Sequence, residues 1–265
     1  VSGPLVARAL GAFSTQQLAQ AEMLITVSCT HASAPGLERP IFTQTAVRPS
    51  VDRWNLGFMG CSGGLAAMRL VHHASGRGRG ALIVACELSS LHFQYTDKLD
   101  QLTANVLFAD GAAAMTITPQ RSAVRVVDCR CATLPEYAGQ MVWFADDHGL
   151  RLDLSQDLPD TIAAHVPPVV AQFLADNGTS SEAIEHWLVH PGGPQILDSV
   201  EHSLALPTDA LRLSRSVLKR YGNMSSPTVL FVLQRAMRHQ PKGKHILAAL
   251  GPGFTVSLLL VDFGT

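Results

Sequence analysis

The chain has 265 residues, 47% apolar, 15% charged and 6% aromatic, and its 20 basic and 21 acidic residues leave a net charge of −1. That is enough chain to bury one large core or two small ones. The charge balance excludes a basic nucleic-acid surface as the main function, and the apolar content excludes a disordered acidic protein.

In chain order, Leu5–Ala21 reads as a helix and Met23–Ser28 as a buried strand. Trp54–Met59 reads as a second strand, with a helix over Gly60–His73 after it, and Gly80–Cys86 as a third strand. Ala112–Ile117 and Ala123–Cys129 lie close together and are expected to pair antiparallel. Gly149–Leu154 reads as a strand, Pro159–Asn177 as a long helix and His186–Val189 as a short strand ending at a His-Pro-Gly-Gly turn. Helices are expected at Pro194–Ser203, Thr208–Arg220 and Ser225–His239, and closing strands at His245–Leu250 and Val256–Phe263. Long apolar strands alternating with helices mean an α/β protein whose sheets are covered on both faces. The pattern occurs twice, with halves at 1–120 and 121–265, and no low-complexity linker separates them.

Five cysteines (Cys29, Cys61, Cys86, Cys129, Cys131) are too few and too irregular for a disulfide framework. The uncharged run His245–Val261 carries two glycines and a proline and falls short of the ~20 apolar residues a membrane span needs. The opening residues do not read as a signal peptide. The expectation is a reduced, cytoplasmic protein whose start lies upstream of Val1.

Three residues stand where chemistry is done. Cys61 follows a strand and opens a helix in Gly60-Cys61-Ser62-Gly63-Gly64. A helix N-terminus favours thiolate, which predicts a lowered thiol pKa. Without context a packed structural cysteine fits equally well. His190 closes a strand before Pro191-Gly192-Gly193-Pro194, at the carboxyl end where α/β ligands bind. An ordinary turn histidine is the equal alternative. Asn223, in Tyr221-Gly222-Asn223-Met224-Ser225-Ser226, reads on its own as a turn or cap residue. Together the three make a coherent set: a thiol nucleophile, an imidazole that can hold its thiolate, and an amide that helps bind an oxyanion.

These motifs, with Cys86-Glu87-Leu88-Ser89-Ser90-Leu91-His92-Phe93, Leu107-Phe108-Ala109-Asp110-Gly111 and His190-Pro191-Gly192-Gly193-Pro194-Gln195-Ile196-Leu197-Asp198, resemble the type III polyketide synthases, the chalcone-synthase-like branch of the thiolase superfamily. The details are closer to bacterial members than to plant ones. The resemblance implies a layered α-β-α-β-α thiolase-like fold of two related βαβ halves, with Cys61 in the first half and His190 and Asn223 in the second. It also implies a further N-terminal segment ahead of residue 1, carrying a strand, helices and the basic residues for coenzyme A. No coenzyme A ligand is therefore assigned within this chain.

By resemblance, Cys61 takes an acyl starter from coenzyme A. Malonyl-CoA is then decarboxylated, and His190 and Asn223 stabilise its enolate during condensation. Pyrone, resorcinol and naphthalene products all fit. The substrates are acyl-CoA and malonyl-CoA thioesters, with no other cofactor, and the enzyme is a homodimer. Phe108 matches the gatekeeper between coenzyme A tunnel and cavity. Leu152 replaces a second gatekeeper and widens that wall. Cys29, His92 and Ser225 align with the cavity wall. Trp143 lies near a position that is glycine in chalcone-forming enzymes, and its indole shortens or redirects the cavity. Ala34 replaces a residue that reaches into the partner's cavity. A ketoacyl-ACP synthase III-like condensing enzyme and a truncated non-catalytic paralogue are the alternatives.

Other features read as structural. Arg77 and Arg79 form a solvated turn, and Asp110-Gly111 is a turn near the site. His72 and His73 are surface or packing residues, and Cys129-x-Cys131 lacks partners at zinc spacing, so no metal is expected.

Overall fold

The computed structural model describes residues 2–74, 79–120, 122–147 and 149–264. Two four-stranded sheets form the frame. The first holds β1 (Met23–Val27), β2 (Asp52–Leu56), β3 (Ala81–Glu87) and β4 (Gly111–Ile117) in the order β2-β1-β3-β4. The first three are parallel and β4 is antiparallel to β3. The second holds β5 (Val124–Thr133), β8 (Ile184–Val189), β9 (Gly243–Gly251) and β10 (Thr255–Phe263) in the order β5-β10-β9-β8. A separate hairpin joins β6 (Met141–Asp146) to β7 (Gly149–Leu154).

The layering follows from the strands' alternation of faces. Ile25, Val27, Ile83 and Ala85 point into one core. There they meet Leu65, Met68 and Val71 of α4 (Gly63–Ala74) and Val229, Val232 and Leu233 of α9 (Thr228–Met237). That core continues onto Leu247, Ala249, Leu259 and Val261 of the second sheet. Leu24, Leu82 and Val84 point the other way, onto Val6 and Leu10 of α1 (Ser2–Leu10) and Ile41 of α3 (Glu38–Gln44). Ile246, Leu258 and Leu260 face α6 (Leu158–Asp176) and α7 (Pro194–Ser203). The result is five layers, α-β-α-β-α. With helices on both faces β1 and β3 are buried at every residue, whereas the edge strand β2 is mostly exposed.

The structure corrects several expectations. The helix read over Leu5–Ala21 is two helices, α1 and α2 (Thr15–Ala19). Ser14 stops the first and caps the second: its hydroxyl accepts the Gln17 N–H at 3.2 Å while the Gln17 side chain accepts the Ser14 N–H at 2.8 Å, a capping box. β4 and β5 do not pair with each other. β4 joins β3 and β5 joins β10, so the short connection between them crosses from one sheet to the other. α3, α5 (Leu99–Leu107) and β6 were not anticipated. Each is short; α3 and α5 bury only one and two residues, and β6 is partly buried on a two-stranded hairpin. The helix read over Thr208–Arg220 is α8 (Arg212–Tyr221). Arg79 is held by Asp52 at 2.5 Å and Glu22 at 3.5 Å rather than being free in a turn. Arg77 lies outside the described residues.

Candidate active site

Cys61 stands on a single 3₁₀ turn, Gly60–Ser62, that runs straight into α4. The corner is tight. Gly60 has φ of +55°, and a Cβ there would lie 2.3 Å from the Pro252 ring, so only glycine lets the turn seat under the β9–β10 connection. A Cβ on Gly64 would lie 2.6 Å from the Ser226 carbonyl, which is how closely α4 meets the start of the segment leading to α9.

Asn223 arrives from that segment. Its backbone forms a bridge with Phe108: the Asn223 N–H donates to Leu107 O and the Ala109 N–H donates to Asn223 O, both at 2.9 Å. Its side-chain Oδ1 accepts the Ser225 N–H at 2.8 Å. This fixes the amide orientation, so Nδ2 donates to Gly192 O at 3.2 Å and faces Cys61 Sγ at 3.9 Å. Ser225 holds φ of +57° to make the turn. His190 ends β8 with its N–H donating to Ala248 O of β9 at 2.7 Å. Its ring is buried, and neither ring nitrogen has a hydrogen-bond partner among the described residues. No hydrogen bond links it to Cys61 in this structure.

The electrostatics overturn one expectation. Burial pushes the Cys61 thiol up to about 11, opposed by hydrogen bonds from Ser225 and Asn223, with the Glu87 charge adding to the rise. The helix start does not outweigh desolvation here. Burial also drives the His190 imidazole down to about 3. The resting pair is therefore a neutral thiol and a neutral imidazole.

Beneath the nucleophile lies a group the sequence reading passed over, although it stood inside a quoted motif. Glu87, at the end of β3, is fully buried. Its carboxyl accepts the N–H groups of Cys29 at 3.0 Å and Thr30 at 3.1 Å. It also accepts the hydroxyls of Thr30 at 2.6 Å, Ser226 at 2.5 Å and Ser28 at 3.3 Å. Burial raises its pKa while these donors pull it back. Glu87 thus fastens the loop after β1 to the segment that carries Asn223.

A cavity of about 300 Å³ opens on the far side of Phe108, lined by His92, Gln101, Asn105, Phe108, Trp143 and Leu150 among others. Phe108 and Trp143 meet edge to face with centroids 5.1 Å apart. His92 is pinned from both sides: Nδ1 accepts the Leu150 N–H at 3.2 Å, so Nε2 donates to Thr30 O at 3.0 Å. Asp110 lines the same cavity and accepts both the N–H of Ser90 at 2.8 Å and its hydroxyl at 2.7 Å. Gln101 and Asn105 went unread because α5 was unread.

Three residues expected on this wall are placed elsewhere. Cys29 Sγ accepts the Gly60 N–H at 3.1 Å and packs under the nucleophile turn, where burial and Glu87 push its thiol up to about 12. Ser225 lies at Cys61. Leu152 pairs with Trp143 across the β6–β7 hairpin and is buried, while Leu150 of the same strand lines the cavity.

The fold recurs in solved structures. Polyketide synthase PKS-I of the brown alga Ectocarpus siliculosus superposes with a TM-score of 0.92 at 27% identity, over 98% of this chain and 74% of that one. The 1,3,6,8-tetrahydroxynaphthalene synthase of Streptomyces coelicolor gives a TM-score of 0.90 at 28% identity, over 99% and 77%. This is a thiolase-fold protein.

The profile of the chalcone and stilbene synthase C-terminal domain matches residues 126–264, and that of the FAE1/type III polyketide synthase-like proteins matches residues 10–131. The chain belongs to the type III polyketide synthase family. It is 30% identical over 260 residues to the alpha-pyrone synthesis polyketide synthase-like Pks18 of Mycobacterium tuberculosis, covering 92% of this chain. The chain spans 65% of the length of that relative.

Proposed function

We propose that this protein is a condensing acyltransferase that builds a small polyketide from an acyl-CoA starter and malonyl-CoA. The observation that carries the reading is a buried thiol 3.9 Å from the Asn223 amide, whose Nδ2 also reaches Gly192 two residues after the buried His190. An imidazole left unsatisfied in an apolar site costs stability, and a substrate oxygen and a transferable proton are what it lacks.

The neutral resting state sets the order of events. Cys61 gives its proton to His190 as its sulfur attacks the starter thioester. His190 passes that proton to the departing coenzyme A thiolate, and the acyl group stays on Cys61. Malonyl-CoA then binds with its thioester oxygen against the His190 ring N–H and Asn223 Nδ2–H. Loss of CO₂ leaves an enolate whose negative oxygen those two donors hold. The enolate carbon attacks the Cys61 thioester and expels the Cys61 thiolate, which takes a proton from solvent to restore the neutral thiol, giving a chain two carbons longer on coenzyme A. Reloading repeats the cycle until cyclisation releases a pyrone, resorcinol or naphthalene. No further cofactor takes part.

Phe108 sits between the Asn223 segment and the cavity, as a gate does. Trp143 sets how long a chain the cavity holds. We take the working form to be a cytoplasmic homodimer. β2 is an edge strand with Trp54 exposed, and Phe58 beyond it is exposed too, a pairing suited to a second copy. Among the described residues no helix is long and apolar enough to cross a membrane.

The test is the intact mass of the protein after exposure to a panel of acyl-CoA thioesters, with and without malonyl-CoA. An acyl adduct that disappears in Cys61→Ala supports the reading. An adduct that survives that substitution overturns it.

A further inference from the structure

The spacing of Cys129-x-Cys131 hides a cluster that the fold assembles from distant segments. His72 lies in the last turn of α4, and Asp128 and Cys129 lie on β5. A ring nitrogen of His72, a carboxylate oxygen of Asp128 and the sulfur of Cys129 all lie within 4.8 Å of one another. A β-bulge lies just before them: Asp128 pairs with Leu260 and Val126 with Val261, which leaves Val127 over and locally bends β5.

His73 lies at the edge of this cluster, its Nε2 3.5 Å from the Cys129 sulfur. The carboxylate is already oriented from behind. Asn177 Nδ2 donates to Asp128 Oδ2 at 2.9 Å and the Cys129 N–H donates to Oδ1 at 2.8 Å, the kind of outer contact that holds metal ligands in place. The C-terminal end of α4 also carries the negative end of its dipole, which favours a cation.

We propose that His72, Asp128 and Cys129 form a zinc site that staples α4 to β5, with a solvent oxygen completing the tetrahedron. The imidazole, thiolate and carboxylate set suits zinc among the common divalent ions. The site is structural. Along α4 it lies roughly 15 Å from the Cys61 turn, too far to touch the reacting groups. On binding, the Cys129 thiol releases its proton to solvent and one Zn–S bond forms, with no redox change.

The experiment uses the chain stripped with chelator and then titrated separately with Zn²⁺ by calorimetry and with Co²⁺ by absorption. One zinc per chain is expected, with a thiolate-to-cobalt charge-transfer band. Cys129→Ser should abolish the band, and His72→Ala should weaken zinc binding by more than about a hundredfold, beyond the loss typical of an outer contact. Asn177→Ala should weaken it by about tenfold. Cys131→Ser should leave it unchanged, since that thiol contacts Ser257 instead. Zinc at a hundred times its Kd should raise the melting temperature by roughly 5 °C in the parent and not in Cys129→Ser. Acyl loading on Cys61 should be the same in both. No zinc retained, or a charge-transfer band that survives Cys129→Ser or vanishes in Cys61→Ala, overturns the proposal.

Discussion

The floor and the wall of the site are built differently. The floor consists of Cys61, Asn223 and His190 on Glu87. All four are buried, at the ends of β3 and β8 or in glycine-bracketed corners, and Glu87 alone accepts hydrogen bonds from four residues. The wall is the β6–β7 hairpin, α5 and the turn after β3, where Phe93, Leu99, Leu102 and Val106 are exposed. A floor locked from several directions suits chemistry that needs fixed donors. A wall of short elements can change its side chains without disturbing the five layers, which is why the proposed reading assigns product size to it.

The largest expected effect is on the floor. Under the proposed mechanism Asn223→Ala removes a donor to the enolate and should slow condensation by roughly 10²–10³-fold, about 3–4 kcal/mol, while the acyl adduct on Cys61 still forms. Rapid-quench comparison of loading and extension checks this. Equal losses in both steps would mean that the amide serves the thiol and not the enolate. Next is Glu87→Ala, which leaves the Cys29 and Thr30 amides and three hydroxyls without their buried acceptor. It should cost about 3 kcal/mol in urea denaturation. A cost below about 1 kcal/mol would show that the network does not fasten the floor.

The pH dependence tests the floor's neutrality. His190 falls from 6.5 to about 3 on folding, so between those values the unfolded chain binds the extra proton. Its contribution is complete above pH 6.5 and is lost as pH falls. From pH 8 to pH 5 this one group should remove about 2 kcal/mol of stability. His190→Gln should lack that part of the acid loss. Identical pH profiles for parent and variant would mean that the imidazole is already charged in the fold.

Legibility in the sequence tracks this difference. Buried strands flanked by long helices announce themselves through unbroken apolar runs, and β1, β3, β9 and α6 were read to within a residue or two. The three floor residues could be placed because each ends or follows such an element. The wall could not be read the same way. α5 exposes its apolar Leu99, Leu102 and Val106 and buries Gln101, so its pattern does not point to Gln101 and Asn105, and Cys29, Ser225 and Leu152 come to the wall by alignment alone. Two environments were also beyond the sequence. The height of the Cys61 thiol comes from burial that only the packed layers supply, and the His72–Asp128–Cys129 cluster comes from a helix end and a strand 56 residues further along the chain.

The smallest expected effect in energy is the one that most sharpens the comparison. Trp143→Gly removes the indole that stands edge-on to Phe108 and enlarges the cavity behind it. Trp143 is half-buried on a two-stranded hairpin, so the loss of packing should cost only about 1–2 kcal/mol of stability. Loading on Cys61 should be unchanged, because neither Asn223 nor His190 touches the indole. The product distribution, read by mass spectrometry of the released polyketides, should shift toward chains with at least one more two-carbon unit. An unchanged distribution with intact loading would place the length limit on Phe108 or on α5 instead, and Phe108→Ala in the Trp143→Gly background would decide between them.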